Sequence, residues 1–227
     1  METVEYAQGR FADVYGDPAQ RTVLMWHGAQ ADARGSMRPL ADHLAGYGVG
    51  VVVADWNSHA DDRGRADLLA SLHFAREASA SPDDIVLVGW SLGGAAAAGV
   101  NIHAGLLDVR VAHTVCLAGA FMVVEPVSAR PLPRDLADYR ERAPFTLLHG
   151  VDDDVIPVAA SGEFAATLRR YGWPVEVVEL PTDHAAIAGA EYDPTADRYS
   201  AAHDPAALSI AADVAGRIAA MATRSNA

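Results

Sequence analysis

The chain has 227 residues, 51% of them apolar, with 30 acidic residues against 17 basic ones and a formal net charge of −13. That length holds one domain with its own core, and the apolar fraction excludes a disordered or collagen-like chain. The acidic balance, in which every basic residue is Arg and none is Lys, argues against nucleic acid or an anionic membrane surface as partner. The single cysteine, Cys116, excludes an internal disulfide and a cysteine-cluster zinc site. Met1 to Ala12 lacks the charged and apolar regions of a signal peptide, and no unbroken apolar run is long enough for a membrane span. A soluble cytoplasmic chain is expected.

In chain order, Val4 to Tyr15 reads as an N-terminal strand or hairpin, and a turn at Gly16-Asp17-Pro18 precedes the first buried run, Thr22 to Trp26. A helix is predicted over Met37–Tyr47, closed by Gly48, then a strand over Val49–Ala54. Val51-Val52-Val53 has no polar alternation, which suits a strand covered on both faces. Arg65 to Ala78 reads as helix, Asp84 to Val88 as strand, Ala95 to Leu106 as helix and Val109 to Leu117 as strand. Phe145 to Leu148 is a further buried strand, followed by a helix over Ser161–Tyr171, the last strand over Val175–Leu180 and a closing helix over Ala206–Met221. Strand and helix alternate throughout, which predicts an α/β fold with a mostly parallel central sheet and helices on both faces. No linker or repeat divides residues 1–227, so one domain is expected.

The strongest chemical signal is Gly89-Trp90-Ser91-Leu92-Gly93, followed by Gly94. A nucleophile on a sharp strand-to-helix turn takes strained dihedrals, and small residues two positions away on either side leave room for it. The following helix N-terminus favours the negative charge of an oxyanion. Three more places complete a pattern. His27-Gly28-Ala29-Gln30 closes the first buried strand, His149-Gly150-Val151-Asp152-Asp153-Asp154-Val155-Ile156-Pro157 closes a later one, and His184 follows the last strand in Pro181-Thr182-Asp183-His184.

With these residues the chain resembles the α/β-hydrolase family, in its serine esterase and lipase-like form. The resemblance covers essentially the whole sequence. It implies a triad in the order Ser91, Asp153, His184, with Ser91 as nucleophile, His184 as base and Asp153 as the acid that orients it. It also implies an oxyanion hole of backbone amides from Leu92 and from Ala29 or Gln30. The implied chemistry is hydrolysis of a small or medium acyl ester through an acyl-enzyme on Ser91, with no cofactor and no metal. A thioester or an amide would meet the same triad. A non-catalytic binding protein on the same fold is the reading from a different class, and the order Ser91, Asp153, His184 argues against it.

Other residues are placed more weakly. Trp90, Gln30, Phe121 and Met122 are expected to touch substrate, since ligands bind at the C-terminal ends of strands in such sheets. The segment 121–143, with Pro126, Pro131 and Pro133 and a short helical stretch near Asp135–Arg142, is expected to form a small cap. Its Arg130, Arg134, Arg140 and Arg142 read as a solvated face near the site. His27 and His149 are read as structural hydrogen-bonding residues. Asn57, His59, Asp61 and Asp62 read as a solvated loop rather than a metal site. The polar stretch Ala188–Ala207 is left either to rim the site or to cross the surface.

Overall fold

The computed structural model describes residues 1–17 and 20–223; Pro18, part of the turn expected before the first buried run, lies outside them. An antiparallel hairpin of β1 (Glu2–Ala7) and β2 (Arg10–Tyr15) opens the chain. Then come β3 (Thr22–Trp26), α1 (Arg38–Ala45), β4 (Gly50–Ala54), α2 (Arg65–Ala78), β5 (Val86–Trp90) and α3 (Leu92–Ile102). A single-turn α4 (Ala104–Leu107) leads to β6 (His113–Leu117) and to a small ribbon of β7 (Val124–Glu125) and β8 (Arg130–Pro131). After β9 (Phe145–Gly150), α5 (Ala159–Arg170) and β10 (Val175–Leu180), a hairpin of β11 (Ala190–Asp193) and β12 (Arg198–Ala201) precedes α6 (Pro205–Ala222).

Eight strands form one sheet in the order β1-β2-β4-β3-β5-β6-β9-β10. The β2–β4 pair is antiparallel, and all pairings from β4 to β10 are parallel. Period-two alternation then sends side chains to opposite layers. Val23, Met25, Val51 and Val53 pack with α1 and α6 through Leu40, Leu44, Val214 and Ile218. Leu24, Trp26, Val52 and Leu87 pack on the other face with Leu68 and Leu72 of α2 and Ala96 and Val100 of α3. The α5 residues Phe164 and Leu168 complete that second layer against Phe145 and Leu147. The valine runs are therefore buried on both sides, as the missing polar alternation requires.

Several boundaries differ from expectation, among them the starts of β5 at Val86 rather than Asp84 and of β6 at His113 rather than Val109. β5 runs to Trp90 because Gly89 and Trp90 pair with Cys116 and Leu117 of β6. α3 begins at Leu92 directly after the turn, and its continuation breaks at His103 before α4. Residues 135–142 form no helix. Prolines 131, 133 and 144 bracket this stretch, and Leu132 and Leu136 are drawn as separate anchors into the cluster of Phe145, Phe164 and Trp173.

No residue of segment 121–143, expected to form a small cap, lines the cavity that holds Ser91. The segment's anchor is Glu125, a fully buried carboxylate that accepts from the amides of Val127 (2.6 Å) and Ser128 (2.7 Å). Glu125 rests against α3 at Gly99, where a Cβ would come within 2.4 Å of Oε2. α6 is long and apolar enough to cross a membrane, with mean hydropathy 1.2 over 18 residues, although Ser209, Asp213 and Arg217 interrupt its apolar run. Here its Val214, Ala215 and Ile218 are buried in the layer shared with α1.

Candidate active site

The turn from β5 to α3 carries Ser91 at φ 56 and ψ −118, a conformation that costs a non-glycine residue about 1–3 kcal/mol. The surroundings over-determine it. The Ser91 amide donates to Leu117 O (2.9 Å), and the Ser91 carbonyl accepts from the amides of Gly94 (3.0 Å) and Ala120 (3.0 Å). The flanking glycines are sterically required. A Cβ at Gly89 would lie 2.1 Å from Gly93 O, and one at Gly93 would lie 2.4 Å from His27 O. Both clashes are with backbone, which has no rotamer to yield. The spacing of the motif is thus dictated by contacts of the turn with itself and with the end of β3.

The loop after β3 is held by His27, which is fully buried. Its Nδ1 lies 2.9 Å from Gly28 O, so Nδ1 carries the proton, and Nε2 accepts from the amides of Ala33 (3.3 Å) and Trp56 (3.2 Å). Burial pushes the imidazole down to about 4; the Gly28 carbonyl bond partly opposes this, and the Arg34 charge adds to it. The adjacent Trp56 stacks on the ring at 5.5 Å and donates from Nε1 to His27 O (3.1 Å). Gly28 then passes so close to the nucleophile that a Cβ on it would meet Ser91 Cβ at 3.3 Å. The Gln30 amide donates to Gly28 O (2.9 Å), whereas the amides of Ala29 and Leu92 make no intramolecular hydrogen bond. Of the two amides left open by the sequence, Ala29 is the one free to donate.

The loops after β9 and β10 cross at Gly150, where a Cβ would lie 2.1 Å from Thr182 O. The amide of Asp152 donates to that same carbonyl (3.1 Å). This crossing brings Asp153 Oδ2 to 2.7 Å from His184 Nδ1, with the carboxylate fully buried. Oδ1 of Asp153 accepts from the amides of Val155 (2.9 Å) and Ile156 (2.8 Å). His149 Nε2 lies 3.0 Å from Ile156 O, a pure acceptor, so Nε2 carries the proton and directs it there, while Asp153 Oδ2 lies 3.3 Å from the same nitrogen. Ser161 Oγ, 2.7 Å away, supplies a donor for His149 Nδ1. Three donors therefore converge on one carboxylate, with the His149 ring beside it. Asp152 and Asp154 are exposed. His184 directs Nδ1–H to Asp153, and its Nε2 bonds to no protein group.

Ser91 and His184 line one cavity of about 560 Å³ together with Gly28, Ala29, Gln30 and Trp90. No hydrogen bond joins Ser91 Oγ to His184, a bond that in unliganded sites commonly closes only with substrate. Trp90 is buried, donates from Nε1 to His184 O (2.8 Å) and meets Tyr199 edge-on at 4.9 Å. The Gln30 side chain accepts from the Tyr199 amide (3.0 Å) and so ties the β11–β12 hairpin over the site. Phe121 and Met122 are not in this cavity. They line a separate groove of about 480 Å³, where Phe121 stacks on Phe164 at 4.2 Å because Glu125 seats their segment on α3. The arginines at 130, 134, 140 and 142 do not line the Ser91 cavity either.

The hairpin supplies the wall that segment 121–143 was expected to form. Tyr192, Asp197, Arg198 and Tyr199 all face the cavity, joined by His59 from the loop after β4. Of the two alternatives the sequence leaves for the long polar stretch Ala188–Ala207, its hairpin rims the site. Asp193-Pro194 between two tyrosine-bearing polar runs is the signal of that hairpin turn. In the Asn57–Asp62 loop, Asn57 Oδ1 accepts from the His59 amide (2.9 Å), and Asp62 accepts from Gly64 (3.0 Å) and Ala66 (2.8 Å) at the start of α2. No group of three or more potential metal ligands occurs among the described residues.

No family model matches this sequence, and no curated protein does. Solved structures do. Esterase 2 of the Planctomycetes species Thermogutta terrifontis, phosphoramylated by tabun, superposes with a TM-score of 0.69 at 18% identity over 95% of this chain and 92% of that one. Its propionate-bound form gives 0.68 at 17% identity over 95% and 92%. An α/β hydrolase from a Medee basin deep-sea metagenome gives 0.63 at 18% identity over 83% and 84%. The sheet order, the strained turn after β5 and these superpositions agree: the chain has the α/β-hydrolase fold.

Proposed function

We propose that the protein is a serine hydrolase that cleaves a carboxylic ester of a small or medium acyl substrate. The observation that carries this reading is the strained Ser91 sharing a cavity with His184, whose Nδ1 is bonded to the buried Asp153 carboxylate. Ser91 Oγ attacks the carbonyl carbon as His184 Nε2 takes its proton, and Asp153 stabilises the imidazolium. The Ala29 and Leu92 amides receive the oxyanion at the N-terminus of α3, each contributing about 3 kcal/mol if a side-chain donor is a guide. His184 then protonates the leaving alcohol, the acyl group stays on Ser91, and water activated by His184 releases the acid. The chemistry is supplied by protein groups alone. A cavity of about 560 Å³ matches a ligand of modest size. The esterase names of similar folds, with one form phosphorylated by paraoxon and another holding propionate, support the reading.

The test is hydrolysis of a chain-length series of p-nitrophenyl esters, with matched thioesters and anilides alongside. Ester turnover that falls about 10⁴-fold in Ser91→Ala and in His184→Ala is expected. Turnover that survives either substitution overturns the assignment, and faster cleavage of the thioesters or anilides redirects the leaving-group class.

A further inference from the structure

The wall of the Ser91 cavity holds an arginine that forms no ion pair. Arg198, the first residue of β12, is the one arginine lining the Ser91 cavity among the described residues. Two carboxylates are its immediate neighbours, and both are engaged elsewhere. Asp193 sits directly across the ladder from Arg198, the position at which opposite charges normally pair. Its Oδ1 instead accepts from the amides of Thr195 (2.8 Å) and Ala196 (3.2 Å), building the turn. Asp197, in the left-handed region at φ 47, accepts the Tyr192 hydroxyl at 2.5 Å. Arg198 has no carboxylate within 4.0 Å, whereas Arg10, Arg21, Arg34, Arg38, Arg76 and Arg217 each have at least one. Arg63, Arg65, Arg110, Arg130, Arg134, Arg140, Arg142, Arg169 and Arg170 lack one too, and what sets Arg198 apart from them is its place in the wall of the Ser91 cavity.

Resting on the hydrolase reading above, we infer that Arg198 is a specificity-determining residue that receives a carboxylate on the substrate, so that the preferred esters are half-esters of dicarboxylic acids. The guanidinium fork matches a planar carboxylate in a two-point contact. A carboxylate brings one negative charge to a wall that already holds Asp197, the one carboxylate lining the cavity among the described residues, whereas a phosphate dianion brings two. Placement on the hairpin also suits the task. The Gln30 bond to the Tyr199 amide fixes the residue next to Arg198 to the loop that carries the Ala29 amide, so the anion site and the oxyanion site share one mount.

The experiment compares mono-p-nitrophenyl adipate with p-nitrophenyl hexanoate, which match in chain length and differ in the terminal carboxylate. The ratio of their kcat/KM values is expected to fall about tenfold or more in Arg198→Gln, chiefly through KM, to recover in part in Arg198→Lys, and to fall with added salt in the native protein. Competition on the native protein gives a second readout: free adipate should inhibit hexanoate-ester cleavage more strongly than free hexanoate, and lose that advantage in salt. A ratio insensitive to both substitution and salt, or no advantage for adipate, overturns the inference while leaving the hydrolase reading intact. Failure to cleave either ester, with Ser91 unlabelled by an organophosphonate, removes the hydrolase reading itself.

Discussion

Acid should loosen this fold through His27. The imidazole is fully buried, with both nitrogens committed, and burial holds it down at about 4 against an ordinary value of 6.5. A base whose folded value is depressed binds its proton more readily when unfolded. Its contribution is therefore complete above about pH 6.5 and is lost as pH falls toward 4. Depression from 6.5 to about 4 corresponds to about 3 kcal/mol, of which about 2 kcal/mol is gone by pH 5. That is a large fraction of the roughly 5–15 kcal/mol stability of a typical domain. Urea denaturation between pH 7.5 and 4.5 measures it, with His27→Gln as the reference. The variant should be less stable at pH 7.5, since the amides of Ala33 and Trp56 lose their acceptor, and its stability should decline with one proton less of slope between about pH 6.5 and 4. The same pH dependence in both proteins would refute the reasoning.

Further outcomes follow from the same contacts. Gly93→Ala should destabilise the fold by about 3 kcal/mol or more, because its Cβ meets backbone oxygens on β3, whereas Gly94→Ala, with 3.0 Å to the Gly119 Cα, should be milder; thermal melts of the two variants rank them. Asp153→Asn should lower ester turnover by about 10³- to 10⁴-fold, while the exposed Asp152→Asn and Asp154→Asn stay within about threefold of the native rate. Trp90→Phe removes the bond to His184 O and should reduce kcat/KM about tenfold in a protein that still unfolds cooperatively; undiminished kcat/KM would show that this bond does not position the base.

What the sequence made legible was what depends on local backbone demands. The run Gly89 to Gly93 announces a tight turn because clashes within a few residues exclude side chains there. The valine runs of β4 and β5 announce buried strands because nothing polar alternates with them. What remained hidden depends on contacts between distant segments. The direction of segment 121–143 is decided by a buried Glu125 seated over Gly99, and no periodicity carries that information, so Phe121 and Met122 were assigned to a cavity they do not line. The β11–β12 hairpin is fixed over the site by Gln30 Oε1 and the Tyr199 amide, groups that sequence order leaves far apart. His149 was read as structural, and its contact with Asp153 Oδ2 gives that structural role a target in the acid that orients His184.

Mapping the adduct of an organophosphonate probe by peptide mass spectrometry addresses the assignment of the nucleophile most directly. Stoichiometric modification should fall on the peptide carrying Ser91, be absent in Ser91→Ala and slow sharply in His184→Ala. Modification of a different residue, or none on folded protein, would contradict it.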